Sequence, residues 1–163
     1  MSIGMSKVLH VKLPVSDLQT SAQWYADLMD LTLTHEFIEE GELRGAALKS
    51  DEGGFSFALR LREHCAARPD LMGFDVVALH MQSRDALVRL RERCADLGVR
   101  CSDVQDRSDN EAVVDVPDPD GTVLRFYWVG PGQEQETFRA IIFEGDARPR
   151  IGTESRLRLH ARA

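Results

Sequence analysis

The chain repeats itself, and the repeat limits what it can fold into more than any other feature. The apolar run Val8-Leu9-His10-Val11-Lys12-Leu13 leads into Pro14-Val15-Ser16-Asp17-Leu18 and an amphipathic stretch. The same order returns as Val76-Val77-Ala78-Leu79-His80-Met81, then Ser83-Arg84-Asp85-Ala86-Leu87 and a second amphipathic stretch. Each half closes on an acidic, glycine-containing turn before a strand-like run, Asp51-Glu52-Gly53-Gly54-Phe55 in the first and Asp118-Pro119-Asp120-Gly121-Thr122 in the second. His10 and His80 stand 70 positions apart and the two turns 67. A duplicated module with a histidine in corresponding apolar strands predicts a cavity between the halves.

Within the first half, Ser16 with Gln19 three residues on has the form of a helix-capping box. Leu18, Ala22, Tyr25, Leu28 and Met29 then recur at helical spacing. Strands are expected over 31–37, 44–49 and 55–62, with Glu39-Glu40-Gly41-Glu42 as a hairpin turn. The second half predicts a strand over 74–82 and a helix capped by Ser83 and ended at Gly98. Further strands follow at 99–104, 111–116 and 122–129. Pro117 and Pro119 bracket a turn, since proline cannot donate within a central ladder. The expected fold class is therefore α+β: two tandem βαβββ modules, about 7–62 and 74–129, forming a curled, barrel-like mixed sheet with helices outside. They make one domain over 1–132. The remainder, 133–163, is a C-terminal extension with a strand expected at 138–143 and a basic tail, an arm or frayed end, carrying Arg148, Arg150, Arg156, Arg158 and Arg162.

At 163 residues, one domain can bury a sizeable core. A net charge of −7 argues against a nucleic-acid partner, which requires a clustered positive surface. Cys65, Cys94 and Cys101 have neither metal-ligand spacing nor an even count for disulfides, so reduced thiols and a cytoplasmic location are expected. No apolar stretch approaches the roughly 20 residues needed to span a bilayer, so no membrane partner is expected.

Strand alternation selects the side chains that would face the curled sheet. With Leu9, Val11 and Leu13 packed under the helices, Val8, His10 and Lys12 face inward. Ser56, Ala58, Arg60 and Arg62 join them from the fourth strand. Val76, Ala78 and His80 come from the fifth, and Val123, Arg125, Tyr127 and Val129 from the eighth. This lining holds Lys12, Arg60, Arg125, two histidines and Tyr127 but no carboxylate. A basic cavity in an acidic protein points to an anionic or phenolic small molecule. Trp24, Phe55 and Trp128 are further candidates for aromatic walls.

The paired units, the opening His-x-x-x-x-Val-Ser-Asp-Leu-x-x-Ser-x-x-Trp-Tyr and the closing Asp-Pro-Asp-Gly-x-x-Leu-Arg-Phe together resemble the vicinal oxygen chelate superfamily. That group comprises glyoxalases, bleomycin-resistance proteins, extradiol dioxygenases and fosfomycin-resistance enzymes. The resemblance covers about residues 7–129. It implies that each unit curls into half a barrel, that first-strand and last-strand positions of each unit supply metal ligands in the metal-dependent members, and that a homodimer is common. The matching first-strand positions are His10 and His80. The last-strand positions are Ala58 and Arg125, where the second is commonly Glu. Arginine has no acceptor atom, and its charge repels a cation. No metal cofactor is therefore expected. Were a divalent metal present, His10 and His80 would hold it, with Glu63, His35 or Glu36 as a third ligand.

The reading that follows is a metal-independent, small-molecule-binding protein, serving sequestration, resistance or a pathway. His10, His80 and Arg125 are its candidate catalytic or anchoring groups, and Lys12, Arg60, Tyr127 and Ala58 line the ligand. The alternative is an enzyme of the same superfamily. It would be either a metal-free acid–base isomerase or cyclase, or a metal-dependent lyase, isomerase or dioxygenase using His10 and His80.

Overall fold

A computed structural model describes residues 4, 6–52, 54–131, 140–142, 144 and 150–157. The first module runs β1 (Val11–Val15), α1 (Leu18–Met29), β2 (Leu31–Glu39), β3 (Glu42–Ser50) and β4 (Ser56–Leu61). The second runs β5 (Asp75–His80), α2 (Arg84–Asp96), β6 (Gln105–Ser108), β7 (Glu111–Pro117) and β8 (Val123–Val129). Two short strands follow, β9 (Ala140–Ile142) and β10 (Arg150–Gly152). The first sheet has the order β1-β4-β3-β2 and the second β5-β8-β7-β6. In each, the first strand lies parallel beside the last, and the others are antiparallel. Two tandem βαβββ units with curled mixed sheets are thus present, as two separate sheets without closure into a barrel.

Period-two burial shows why these segments are strands. Ala112, Val114 and Val116 on β7, and Leu124 and Phe126 on β8, are buried. So are Ala46 and Leu48 on β3, and Phe57 and Leu59 on β4. These faces pack under α1 and α2 in a single apolar cluster with Tyr25, Leu28, Leu87, Leu90 and Cys94. The core is therefore shared between the modules. Trp24, Phe55 and Trp128 are partly buried against it. The three cysteines are free, and burial pushes the Cys94 thiol up to about 12.

Several expected boundaries move for identifiable reasons. The first strand begins at Val11, with Val8 and Leu9 exposed, because β4 pairs with β1 only from Phe57 onward. His10 consequently precedes β1 and lies in solvent. The cap of α1 is Asp17, whose carboxylate accepts from Thr20 N at 2.7 Å, instead of Ser16. Ser83 caps α2 as expected, accepting from Ala86 N, and Gly98 ends it at φ +66°. Residues 99–104 form no strand. Val99, Cys101 and Val104 alternate because they pack on the core, and the ladder to β7 starts only at Gln105. In the extension, Ile142, Ile141 and Ala140 pair antiparallel with Arg150, Ile151 and Gly152, so this part is a hairpin and not a frayed arm. Residues 138, 139 and 143 of the expected strand lie outside the described residues, as do Arg148, Arg158 and Arg162.

The Asp118-Pro119-Asp120-Gly121 turn ties the modules together. Asp118 is buried and accepts from the Tyr25 hydroxyl of α1 at 2.9 Å. Its other oxygen accepts from Asp120 N and Thr122 N within the turn. Asp120, also buried, accepts from Ser16 N at 2.9 Å and from Arg62 at 3.0 Å, both in the first module. At the far end of α1, Arg93 of α2 donates to the Asp27 carbonyl. Buried carboxylates without such partners would be costly.

Tyr25→Phe deprives buried Asp118 of the Tyr25 hydroxyl donor and should lower the unfolding free energy by about 1–3 kcal/mol in urea titrations. Burial, the largest influence, raises the Asp118 carboxyl above its ordinary 3.8. Its contribution to stability is therefore fullest below pH 3.8 and is lost as pH rises through the native value. In Asp118→Asn, that component of the pH profile should vanish.

Candidate functional site

The concave face of each sheet is built row by row from strand pairing. In the first sheet Lys12 lies beside Ala58, Ala58 beside Ala47, and Ala47 beside His35. The next row holds Arg60, Gly45 and Phe37. A Cβ at Gly45 would meet the Leu59 carbonyl oxygen at 2.8 Å and the Phe37 ring at 3.2 Å, so glycine is required there. Phe37 stacks on His35 with ring centres 6.5 Å apart. Arg60 is held by both oxygens of Glu39, and its hydrogen bond keeps the Glu39 carboxyl below the usual range. Arg62 has left this face. It lies in a 3₁₀ turn after β4 and is spent on Asp120.

The second sheet carries Arg125 at the centre of its concave face, with Ala78 on one side and Asp115 on the other. Arg125 Nε and Nη2 donate to the two Asp115 oxygens at 2.9 and 3.0 Å, and Nη1 reaches Asp75 at 2.7 Å. These hydrogen bonds raise the guanidinium above its ordinary value. Tyr127 follows on β8, half-buried, donating to Glu111 at 3.1 Å. Burial, then the Glu111 charge, pushes its phenol up. Arg107 donates to the neutral Gln105 amide at 3.0 Å. Together Ala78, Arg107, Glu111, Val113, Arg125 and Tyr127, with Ile141 from β9, enclose a cavity of about 260 Å³.

The expectation of a carboxylate-free, basic lining fails on these pairings. Asp75, Asp115 and Glu111 lie among the cations of the second sheet, and Glu39 neutralises Arg60 on the first. Reflection of the chain through the 118–121 turn puts Asp115 opposite Arg125, a signal that was present in the sequence. Arg107 was missed because it sits at a ladder irregularity, where alternation gives no face.

Nor are His10 and His80 counterparts. The caps Asp17 and Ser83 are 66 positions apart, and so are Lys12 and Ala78, the parallel partners of Ala58 and Arg125. By that register His10 corresponds to Val76, and His80 to Pro14. His80 is exposed at the end of β5 opposite Tyr127, and also borders a cleft of about 370 Å³ between the modules with Phe55, Arg93 and Phe126. The structure thus gathers Arg125, Tyr127 and Ala78 on one sheet and Lys12, Ala58 and Arg60 on the other. The 260 Å³ cavity takes nothing from the first sheet.

The model of the Glyoxalase/Bleomycin resistance protein/Dioxygenase superfamily matches residues 7–126, nearly the whole of both modules. The chain belongs to that superfamily. A glyoxylase/bleomycin resistance protein/dioxygenase domain from Frankia sp. EAN1pec is 25% identical, with a TM-score of 0.66 over 80% of this chain and 96% of its own. TnmS3, an antibiotic binding protein from Streptomyces sp. CB03234, is 17% identical, with a TM-score of 0.64 over 79% and 100%. The fosfomycin resistance protein FosX from Listeria monocytogenes is 14% identical, with a TM-score of 0.60 over 76% and 93%. For TnmS3 and FosX the likeness is one of fold. No curated protein matches the sequence significantly.

One FosX structure is complexed with Mn(II). The first-strand and last-strand positions at which the resemblance implies ligands are, by the register of this chain, His10, Ala58, Val76 and Arg125. They offer one imidazole, two apolar side chains and a guanidinium already bound by two carboxylates. A divalent cation does not fit that set, and among the described residues no other group of three or more His, Cys, Asp and Glu side chains forms one. No helix among them is long and apolar enough to cross a membrane.

Arg125→Leu should leave Asp115 and Asp75 facing each other uncompensated, costing about 1–2 kcal/mol because all three are partly solvated. Adding Asp115→Asn should recover part of that loss in the same denaturation experiment.

Proposed function

We propose that this superfamily member binds a small anionic or phenolic molecule on the concave face of its second sheet, without a metal. The observation that carries the reading is the fixed Arg125. Of its five N–H groups, three are committed to Asp115 and Asp75, which among the described residues leaves two on a guanidinium that cannot rotate away. A preorganised donor pair in a concave site, beside Tyr127 and Arg107, suits an acceptor-rich group. The neighbouring carboxylates favour the phenolic end of that range over a multiply charged anion. Lys12, Ala58 and Arg60 supply a second, shallower surface on the first sheet for the same ligand class. Sequestration of a toxic or pathway compound in the cytoplasm is the role this chemistry supports. A homodimer is part of the reading, since Phe37, Ile38, Met72 and Phe74 are exposed.

One observation favours turnover as a second reading. His80 lies opposite Tyr127, whose hydroxyl is bonded to Glu111, so an imidazole, a phenol and a carboxylate line up across adjoining strands. A metal-free isomerase or cyclase would use Glu111 or His80 as base, with Tyr127 passing the proton. Glu111→Gln would then abolish turnover while binding survived.

Calorimetric titration of chelator-treated protein with phenol, 4-nitrophenol and phenylphosphonate tests the main reading. Stoichiometric binding of a phenol, weakened about five- to tenfold in Arg107→Gln, is expected. Binding that vanishes with chelator and returns with Mn²⁺ or Zn²⁺ would overturn it. Light scattering at micromolar concentration should give twice the 18.3 kDa chain mass.

A further inference from the structure

The superfamily match ends at residue 126, and the Frankia, TnmS3 and FosX structures, covered over 93–100% of their own lengths, leave a fifth or more of this chain unmatched. Beyond that boundary the chain returns to the second module, because Ile141 of β9 lines the 260 Å³ cavity with Arg125 and Tyr127. Ile141 pairs directly with Ile151 of β10, and residues opposite one another in an antiparallel pair project to the same side. The hairpin thus presents two adjacent isoleucines. They are 54% and 57% exposed, which is unusual for side chains of this kind on one small patch unless something covers them.

The rest of the lining explains what they add. Arg107, Glu111, Arg125 and Tyr127 are polar or end in a polar atom, and Val113 is buried beneath them in the sheet. From the shared fold the apolar surface comes from Ala78, Val113 and the Tyr127 ring, all carried by the sheet itself. Ile141 adds apolar surface from a separate element, the β9–β10 pair. A flat ring lying between Ile141 and the Tyr127 face could keep its oxygen near Arg107 and Arg125.

We infer that the β9–β10 hairpin is the specificity element of this cavity, with Ile141, flanked by Ile151, selecting ligands that carry a fused aromatic body over those with a single ring. The inference rests on the second-sheet cavity being the ligand site. Its contribution is apolar contact area, so it scales with ligand size and is indifferent to ligand charge.

Calorimetric titration of the full chain with 2-naphthol and with phenol separates the two ideas. Ile141→Ser and Ile151→Ser should each weaken 2-naphthol by about fivefold or less and change phenol by less than about twofold. Arg107→Gln should weaken both. Thermal melting of each variant confirms that the fold is retained, and Ile141→Val, which keeps most of the apolar surface, should restore 2-naphthol binding. If Arg107→Gln weakens both probes but neither isoleucine variant discriminates between them, the hairpin inference is overturned and the cavity stands. If wild type binds neither probe, or binds with no dependence on Arg107, the cavity reading falls and the hairpin inference with it.

Discussion

Asp118 and Asp120 sit in one turn, are both buried, and have each exchanged water for partners in the other module. A buried carboxylate is tolerable only when its lone pairs are filled, and these are filled by the Tyr25 hydroxyl, Ser16 N, Arg62 and two amides of the turn itself. Separation of the modules would return three of those five contacts to solvent, those made by Tyr25, Ser16 and Arg62. The turn is therefore more than a reversal of the chain. It sets where the N-terminal end of α1 meets the second sheet, and the shared apolar core closes around that point.

The placement of the joints decides what the sheets can do. Tyr25, Ser16, Arg62, Asp27 and Arg93 belong to helices or to strand ends, and the core residues project from the helix-covered faces. Among the described residues, none of these joints lies on a concave face. The concave faces are free to carry charge, glycine and small side chains, and they do: Lys12, Ala58, Ala47 and Gly45 on one, Ala78, Arg125, Asp115 and Tyr127 on the other. Chemistry can vary on those faces without disturbing the core.

Arg125 illustrates how a residue's meaning changes between sequence and fold. At a last-strand position where the resemblance leads one to expect glutamate, an arginine looks like a lone positive charge awaiting an anion. In the sheet it is clamped by Asp115 from β7 and Asp75 from β5. The clamp reverses the local net charge, one cation against two carboxylates, and leaves direction: a donor pair held at one angle. That difference separates a site selective for multiply charged anions from one suited to phenols and other acceptors.

The repeat, the two helices with the Ser83 cap of the second, the alternation that buries Leu124 and Phe126, and the placing of Ala58 and Arg125 at corresponding positions were all legible in the sequence. They depend on interactions within a few residues or on a period of two or 3.6. The equivalence drawn between His10 and His80 was not reliable, because apolar runs of similar composition align at 70 positions, whereas the helix caps and parallel pairings register at 66. The pairing of Arg125 with Asp75, of Arg62 with Asp120 and of Tyr25 with Asp118, and the return of Ile141 to the cavity, were decided only by the tertiary structure. Each joins residues on different elements, three of the four across at least 50 positions and the fourth from outside the repeat. Local preference carries no information about which distant partner completes a buried charge.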